Sequence, residues 1–231
     1  MSPQPPDKPT DTPTQRHGPG RPKDPELEAR RKAQILDVAA RVFATYGFAN
    51  TQVQTIANHL GVGNGTIYRY FPTKDQLFLA AVERGLKELT LEMDRVLEQP
   101  LDPLETIALA IRTYLSFFHR RPEMAELFIQ ERAAFPHHHR PLYFATREED
   151  EKMCKHAELF RRLMETGRVR PMPMERLFAV VGDLLYGTIL TNLLSGRPAD
   201  PVLQAQDVVD VILNGIVSDG SGRTFTAETR K

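Results

Sequence analysis

Cysteine and net charge are both scarce in this sequence. Its 231 residues include one cysteine, Cys154, and 30 basic residues are balanced by 30 acidic ones. A single cysteine excludes an internal disulfide and a cysteine-rich zinc site, and it suits a reducing compartment. Balanced charge excludes a basic field over the whole molecule, so any nucleic-acid surface must be local.

Signals for membranes, export and catalysis are also missing. No apolar run approaches the roughly 18 residues that span a membrane, and the N-terminus lacks the apolar core of a signal peptide. We therefore expect a cytoplasmic protein. No Ser-His-Asp set, nucleophilic cysteine or pair of carboxylates stands out, so we expect neither an enzyme nor a cofactor.

The sequence does contain the pattern of an all-α protein. Apolar residues recur at three- and four-residue steps between Pro and Gly residues, and no stretch alternates as a strand would. The pattern predicts about nine helices, with a polar, proline-rich segment 1–23 expected to be disordered and a flexible tail at 219–231. We place the helices at 25–46, 51–60, 64–71, 74–98, 103–120, 122–135, 141–166, 174–195 and 201–218.

The stretch GVGNGTIYRYFPTKDQL, residues 61–77, decides the function class. A phosphate-binding loop would need Lys after Gly65, where the chain has Thr66, and it would follow a strand rather than the helical segment TQVQTIANHL. Two short amphipathic helices joined by a glycine-containing turn are instead typical of a helix-turn-helix. We expect Gly61 to adopt a left-handed conformation and Ile67 to anchor the second helix.

Residues 47–77, GFANTQVQTIANHLGVGNGTIYRYFPTKDQL, resemble the DNA-binding domain of the TetR/AcrR family of transcriptional regulators. The shared features are the Gly-aromatic turn, the Thr at the start of the second helix, and the segments IA…LGV and GTIYRYF. The resemblance covers about residues 30–79. It implies an N-terminal three-helix helix-turn-helix domain at 24–76 and a C-terminal helical ligand-binding and dimerisation domain at 77–218.

The resemblance also implies which residues contact double-stranded operator DNA. The start of the recognition helix enters the major groove, the aromatic and lysine positions face phosphates, and the second helix lies near phosphate and base edge. A separate stretch, GPGRPKDP at 18–25, resembles an AT-hook core whose arginine follows the minor groove, with an inert arm as the alternative. The candidate contacts are Arg21, Thr51, Gln54, Asn64, Gly65, Thr66, Tyr68, Arg69, Tyr70 and Lys74.

For the C-terminal helices the resemblance implies a homodimer and a small-molecule pocket. The segment 174–195 is apolar nearly all round, with Gly182 and Gly187 permitting close helix approach, and 201–218 is its natural partner in a four-helix interface. Aromatic and polar residues in the preceding helices suggest the pocket, although the same residues could form ordinary core. The candidates are Tyr114, Phe118, Phe128, Arg132, His156 and Tyr186.

The consecutive residues His137, His138 and His139 raise the question of a metal. Adjacent side chains rarely converge on one ion, so we expect an exposed connecting loop and no metal. The resemblance thus implies a repressor that a small-molecule effector releases from its operator. The alternatives are a ligand-independent or a metal-sensing DNA-binding protein.

Overall fold

A computed structural model of the chain describes residues 24–136, 151–196 and 200–216. Within these ranges the secondary structure consists of nine α-helices, and no strand occurs there. The helices are α1 Pro25–Tyr46, α2 Val53–Leu60, α3 Asn64–Tyr70, α4 Lys74–Leu97, α5 Pro103–Arg120, α6 Pro122–Ala134, α7 Glu151–Glu165, α8 Met174–Ser195 and α9 Pro201–Ile216. The predicted all-α fold is confirmed, while the predicted start of α7 at 141 lies outside the described residues.

Helix α1 begins and ends where the local sequence requires. The Asp24 carboxylate accepts hydrogen bonds from the amides of Glu26 and Leu27, at 3.0 and 3.4 Å, and proline follows it at the first helical position. Gly47 ends the helix with φ 78°, a value that residues with a Cβ rarely adopt. The buried face of α1 then forms the centre of the N-terminal unit. Its members are Ile35, Leu36, Ala39, Ala40, Val42 and Phe43.

The second helix begins two residues later than predicted. Thr51 does not cap it, because its hydroxyl donates back to the carbonyl of Gly47 at 2.7 Å and its side chain is buried. Gln52 is the N-cap residue instead, and no side chain caps the helix there. Residues 47–51 therefore form a turn of their own between α1 and α2, which we call the α1–α2 turn.

Helix α4 runs from the helix-turn-helix into the C-terminal half. The hydroxyl of Thr73 caps it by accepting from the amide of Gln76 at 3.1 Å. Midway along α4, a Cβ on Gly85 would collide with the side chain of Met124, so α6 approaches α4 closely at this point. The Arg84 guanidinium binds Asp37 of α1 at 2.9 Å and Glu88 at 3.2 Å. Helices α1, α4 and α6 are thus held as one group.

Helix α8 is a longer apolar segment than the sequence analysis expected to find. At 22 residues, with a mean hydropathy of 1.7, it is long and apolar enough to cross a membrane by length and composition. Counting unbroken apolar residues misses it because Asp183 interrupts the run. One side of α8 packs inside this single chain, and its buried residues are Leu177, Phe178, Val181, Gly182, Leu185 and Ile189.

Candidate nucleic-acid interface

The helix-turn-helix is built on a small buried cluster. Ile56 and Ala57 of α2 and Ile67 of α3 are fully buried. Gly61 ends α2 in the left-handed conformation, with φ 64° and ψ 34°, as predicted. The Val62 amide donates to the carbonyl of Ala57 at 3.0 Å, which closes the turn between the helices. These contacts leave the opposite sides of α2 and α3 to solvent.

The exposed side of α2 carries an amide pair. Gln54 lies there, and its Nε2 donates to Oδ1 of Asn58 at 2.7 Å. This bond uses one of the two Nε2 protons, so the other proton and Oε1 remain to pair with a base edge, for which adenine is the natural partner. Sequence analysis did not identify Asn58, although its spacing of four residues from Gln54 is that of neighbours on a helix.

The predicted contact residues of α3 differ in exposure. Gly65, Tyr68 and Arg69 are exposed, and a Cβ on Gly65 would meet nothing within 4 Å. Asn64 and Thr66 are half-buried. Gly65, Tyr68 and Arg69 therefore present the most accessible part of this helix.

The side chains of Asn64 and Tyr70 in α3 are partly buried. Oδ1 of Asn64 is shielded from solvent and accepts no hydrogen bond within the described part of the chain. The Tyr70 ring packs partly against the core, and its hydroxyl accepts from Nη2 of Arg69 at 3.3 Å. The Arg69 guanidinium also lies 5.0 Å from the centre of that ring. Tyr70 thus supports Arg69 in this structure.

Two predicted phosphate contacts are engaged inside the protein. Thr51 is buried and its hydroxyl donates to the carbonyl of Gly47, so this side chain faces the protein, and its contact with DNA stays a prediction. The Lys74 ammonium donates to the carbonyls of Phe48, Ala49 and Thr51, at 2.9, 3.2 and 3.3 Å. Its three protons are thereby directed at the α1–α2 turn rather than outward. Arg21 lies outside the described residues.

A basic residue of α1 that the sequence analysis did not propose as a contact lies beside the recognition helix. Nζ of Lys32 is exposed and lies 5.6 Å from the centre of the Phe71 ring, directly after α3. The run Arg30-Arg31-Lys32 was the signal that could have identified it. Lys32 adds positive charge beside the C-terminal end of the recognition helix, where a phosphate could be bound.

The candidate effector residues fall into a connected aromatic group. The rings of Tyr114 and Phe118 are 5.1 Å apart, and Phe118 meets Phe128 edge to face at 5.5 Å. Burial raises the pKa of Tyr114 well above its usual value, the positive charge of Arg132 opposes the shift, and Tyr186 adds to it. Helices α5, α6 and α8 therefore bring five of the six candidates together around a neutral buried phenol.

Two cavities lie next to this group. One of about 330 Å³ opens between α5, α6, α8 and α9, and Phe118, Ile189 and Gln204 are among its lining residues. A void of about 10 Å³ is lined by His156 of α7 together with Phe160 and Phe178. Tyr114, Phe128, Arg132 and Tyr186 line neither cavity. The three histidines His137, His138 and His139 lie outside the described residues.

Comparison with known proteins agrees with this arrangement. The family model described as "Bacterial regulatory proteins, tetR family" matches residues 35–81. Over 91 residues the chain is 31% identical to the HTH-type transcriptional regulator HbdR of Aromatoleum sp. strain CIB. This alignment covers 39% of this chain and 40% of that protein. The alignments span 40–58% of the length of the first three curated relatives.

Two solved structures extend the likeness in fold over most of the chain. The TetR family regulator PfmR of Thermus thermophilus superposes with a TM-score of 0.62 at 21% identity, covering 78% of this chain and 97% of that one. FadR of Bacillus subtilis, solved in complex with stearoyl-CoA, gives 0.60 at 19% identity, with coverages of 80% and 98%. The fold and the matched domain define a helix-turn-helix protein. Residues 35–81 match the DNA-binding domain of the tetR family of bacterial regulatory proteins, and the fold of the chain resembles those of solved TetR family regulators.

Proposed function

We propose that this chain is a cytoplasmic repressor that binds operator DNA as a two-fold dimer and is released by a small, largely apolar effector. The observation that carries the proposal is the separation of faces in the helix-turn-helix. Its apolar side chains are buried, while Gln54, Gly65, Tyr68 and Arg69 are exposed on α2 and α3. Residues 24–76 would form the DNA-binding domain and residues 77–218 the effector and dimerisation domain. This function involves no turnover and so no enzyme.

The dimer is supported by the outward faces of α8 and α9. Large apolar side chains on both helices are exposed in the single chain, and a Cβ on Gly187 of α8 would meet nothing within 4 Å. Exposed apolar side chains concentrated on two helices are the composition expected of a protein–protein interface. Reciprocal amide bonds between Asn192 and Gln204, at 2.6 and 2.8 Å, tie the two helices together. The exposed residues are Val180, Leu184, Leu194, Val202, Leu203 and Val211.

An effector is supported by the group around Tyr114. The buried rings of Tyr114, Phe118 and Phe128 lie beside the cavity of about 330 Å³, which Phe118, Asn192 and Gln204 help to line. Binding sites are lined in this way, with a few polar groups fixing orientation. The similar FadR of Bacillus subtilis was solved with stearoyl-CoA. We therefore propose an effector with a long apolar portion, such as a fatty acyl derivative, in preference to a ligand-independent protein.

Base reading and phosphate contact are separable by substitution. Gln54→Ala is expected to cost about 1–3 kcal/mol of operator binding and little on scrambled DNA, because a base-edge hydrogen bond carries sequence information. Tyr68→Phe is expected to cost about 0.5–1.5 kcal/mol on both duplexes, because it removes one neutral donor to phosphate. Titrations on a duplex selected from a random library, and on its scrambled counterpart, measure both effects.

The control for this experiment is Asn58→Ala. It removes the side chain that holds the Gln54 amide and should give a smaller loss of specificity than Gln54→Ala. If Gln54→Ala weakens both duplexes equally, Gln54 does not read sequence. Failure of the selection to enrich any sequence with the parent protein would count against sequence-specific binding as a whole.

Effector release makes a second prediction. Stearoyl-CoA, palmitoyl-CoA and free palmitate are the probes, and binding of the effective one should raise the melting temperature. The same probe should weaken operator binding by about 5–150-fold, which is the usual range of coupling between two sites. Thermal shift and operator titration at a matched probe concentration measure the two effects. Probes that bind and leave operator affinity unchanged would contradict the coupling, because a ligand with equal affinity for two states shifts neither.

A further inference from the structure

The α1–α2 turn is held from the α4 side by a single lysine. Nζ of Lys74 donates to three carbonyls of this turn, those of Phe48, Ala49 and Thr51, and it lies 4.6 Å from the centre of the Phe48 ring. An ammonium has three protons and no acceptor. Each proton has a carbonyl partner here, and a direct bond to a DNA phosphate would require one of them to be given up.

The same turn is held from the α6 side by a glutamine. Oε1 of Gln130 accepts from the amide of Phe48 at 2.9 Å, and its Nε2 donates to the carbonyl of Phe43 at 3.2 Å. The Phe48 amide lies just beyond the end of α1, and Gln130 supplies its acceptor. Gln130 is 82 and 87 residues away from its two partners in sequence. It therefore joins the helix-turn-helix to the C-terminal half of the chain.

Aromatic rings also pack on the α1–α2 turn, beside the hydrogen bonds from Lys74 and Gln130. The Phe48 ring lies 4.9 Å from Phe78 of α4 and 5.0 Å from Phe135, the residue that ends α6. Phe78 and Phe135 stack at 5.7 Å. The α1–α2 turn is thus fixed against α4 and α6 by both polar and apolar contacts. The direction in which α2 leaves the turn depends on them.

We propose that Lys74 and Gln130 are positioning residues for DNA binding: together they form a clasp that sets the α1–α2 turn, and through it the exposed face of α2, without touching DNA themselves. The inference rests on the proposed DNA-binding function. It differs from the expectation that the resemblance gave for Lys74, which was a phosphate contact. A phosphate contact needs a positive charge that faces DNA, whereas the clasp needs an ammonium that donates to the carbonyls of the turn.

The salt dependence of binding separates these roles at Lys74. A phosphate contact contributes about 0.9 to the slope of log affinity against log salt, and arginine replaces lysine in it. A clasp contributes nothing comparable to the slope, and the planar guanidinium cannot reproduce three bonds made by one compact ammonium. The variants are Lys74→Met, Lys74→Arg and Gln130→Leu. Lys87→Met is the matched control, since it removes an exposed positive charge from the same helix.

Two measurements on the full chain test the proposal. The first is amide hydrogen exchange of residues 47–60 without DNA, which we expect to rise at least about tenfold in all three variants and to stay at the parent rate in Lys87→Met. The second is operator titration at several salt concentrations, on a duplex selected from a random library. We expect each variant to lose at least about tenfold in affinity, with the slope of Lys74→Met equal to that of Lys87→Met.

Several results would overturn the proposal. One is a combined result that a phosphate contact would give. Lys74→Met would then exchange at the parent rate, and its slope of log affinity against log salt would be lower by about 0.9 than that of Lys87→Met. Lys74→Arg would keep full operator affinity. Another is exchange in Gln130→Leu that matches the parent. The exchange arm needs no DNA, so failure of the clasp is distinguishable from failure of the proposed function, which would appear as an absence of any selected sequence for the parent protein.

Discussion

Leu184→Arg is expected to convert the proposed dimer into a monomer and to weaken operator binding by at least about a hundredfold. Leu184 lies on the outward face of α8 and is 37% exposed in the single chain. In a dimer through α8 and α9 this face is covered by the partner. An arginine there would lose water without gaining a partner, and an uncompensated buried charge costs about 3–5 kcal/mol. Sedimentation at micromolar concentration and operator titration measure the two effects.

Two other leucines provide the controls for this substitution. Leu185 has the same chemistry one residue further on but is fully buried, so Leu185→Arg should unfold the chain instead of dissociating a folded dimer. Leu91 of α4 is 48% exposed, and Leu91→Arg should leave both dimer and fold intact. A parent protein that sediments as a monomer would contradict the interface. So would a Leu184→Arg variant that remains dimeric.

Phe78→Ala is expected to lower the free energy of unfolding by about 3–5 kcal/mol, the usual cost of removing a buried phenylalanine. Phe78 is fully buried and packs edge to face on Phe43 of α1 at 5.1 Å. It also contacts Phe48 and Phe135, so it joins the helix-turn-helix to α6. Loss of its ring leaves a cavity where the two halves of the chain meet. Urea unfolding followed by circular dichroism measures the cost.

The controls for Phe78 distinguish volume from aromatic geometry. Phe78→Leu keeps most of the volume and should cost about 1 kcal/mol. Phe118→Ala removes a buried ring from the C-terminal half and should leave exchange at the α1–α2 turn unchanged. A loss below about 1 kcal/mol in Phe78→Ala would contradict the view that this ring closes a common core.

The parts of the fold that depend on neighbours in sequence were predictable. Asp24, Gly47, Gly61 and Thr73 start or end their helices as the local rules require. Helices are determined mainly by residues within one or two turns, so their order and most of their ends follow from the pattern. The recognition motif is equally local, which explains why the helix-turn-helix can be identified from the amino-acid sequence alone.

Features that depend on distant residues were not predictable. The sequence pattern places Thr51 at the start of the second helix, and only the folded turn directs its hydroxyl back to Gly47. The residues next to Gln130 in sequence do not indicate its role, because both its partners lie more than 80 residues away. Lys74 matches a phosphate-facing position in the family, and its three carbonyl partners are visible only in three dimensions.

The same limit applies to the helices of the C-terminal half. Leu184 and Leu185 are equivalent in an apolar run, and packing of α8 decides that one is core and the other faces outward. No local pattern indicates that Tyr114, Arg132 and Tyr186, on three different helices, lie close enough to influence one ionisation. Their grouping depends on how α5, α6 and α8 pack.

The symmetry of the bound DNA tests the central claim most directly. A dimer joined through α8 and α9 carries two copies of the face formed by α2 and α3. We predict that selection from a random duplex library, followed by footprinting, yields an inverted repeat with half-site centres about 34–36 Å apart, or a multiple of this. A single half-site without symmetry, or no enriched sequence at all, would contradict the account.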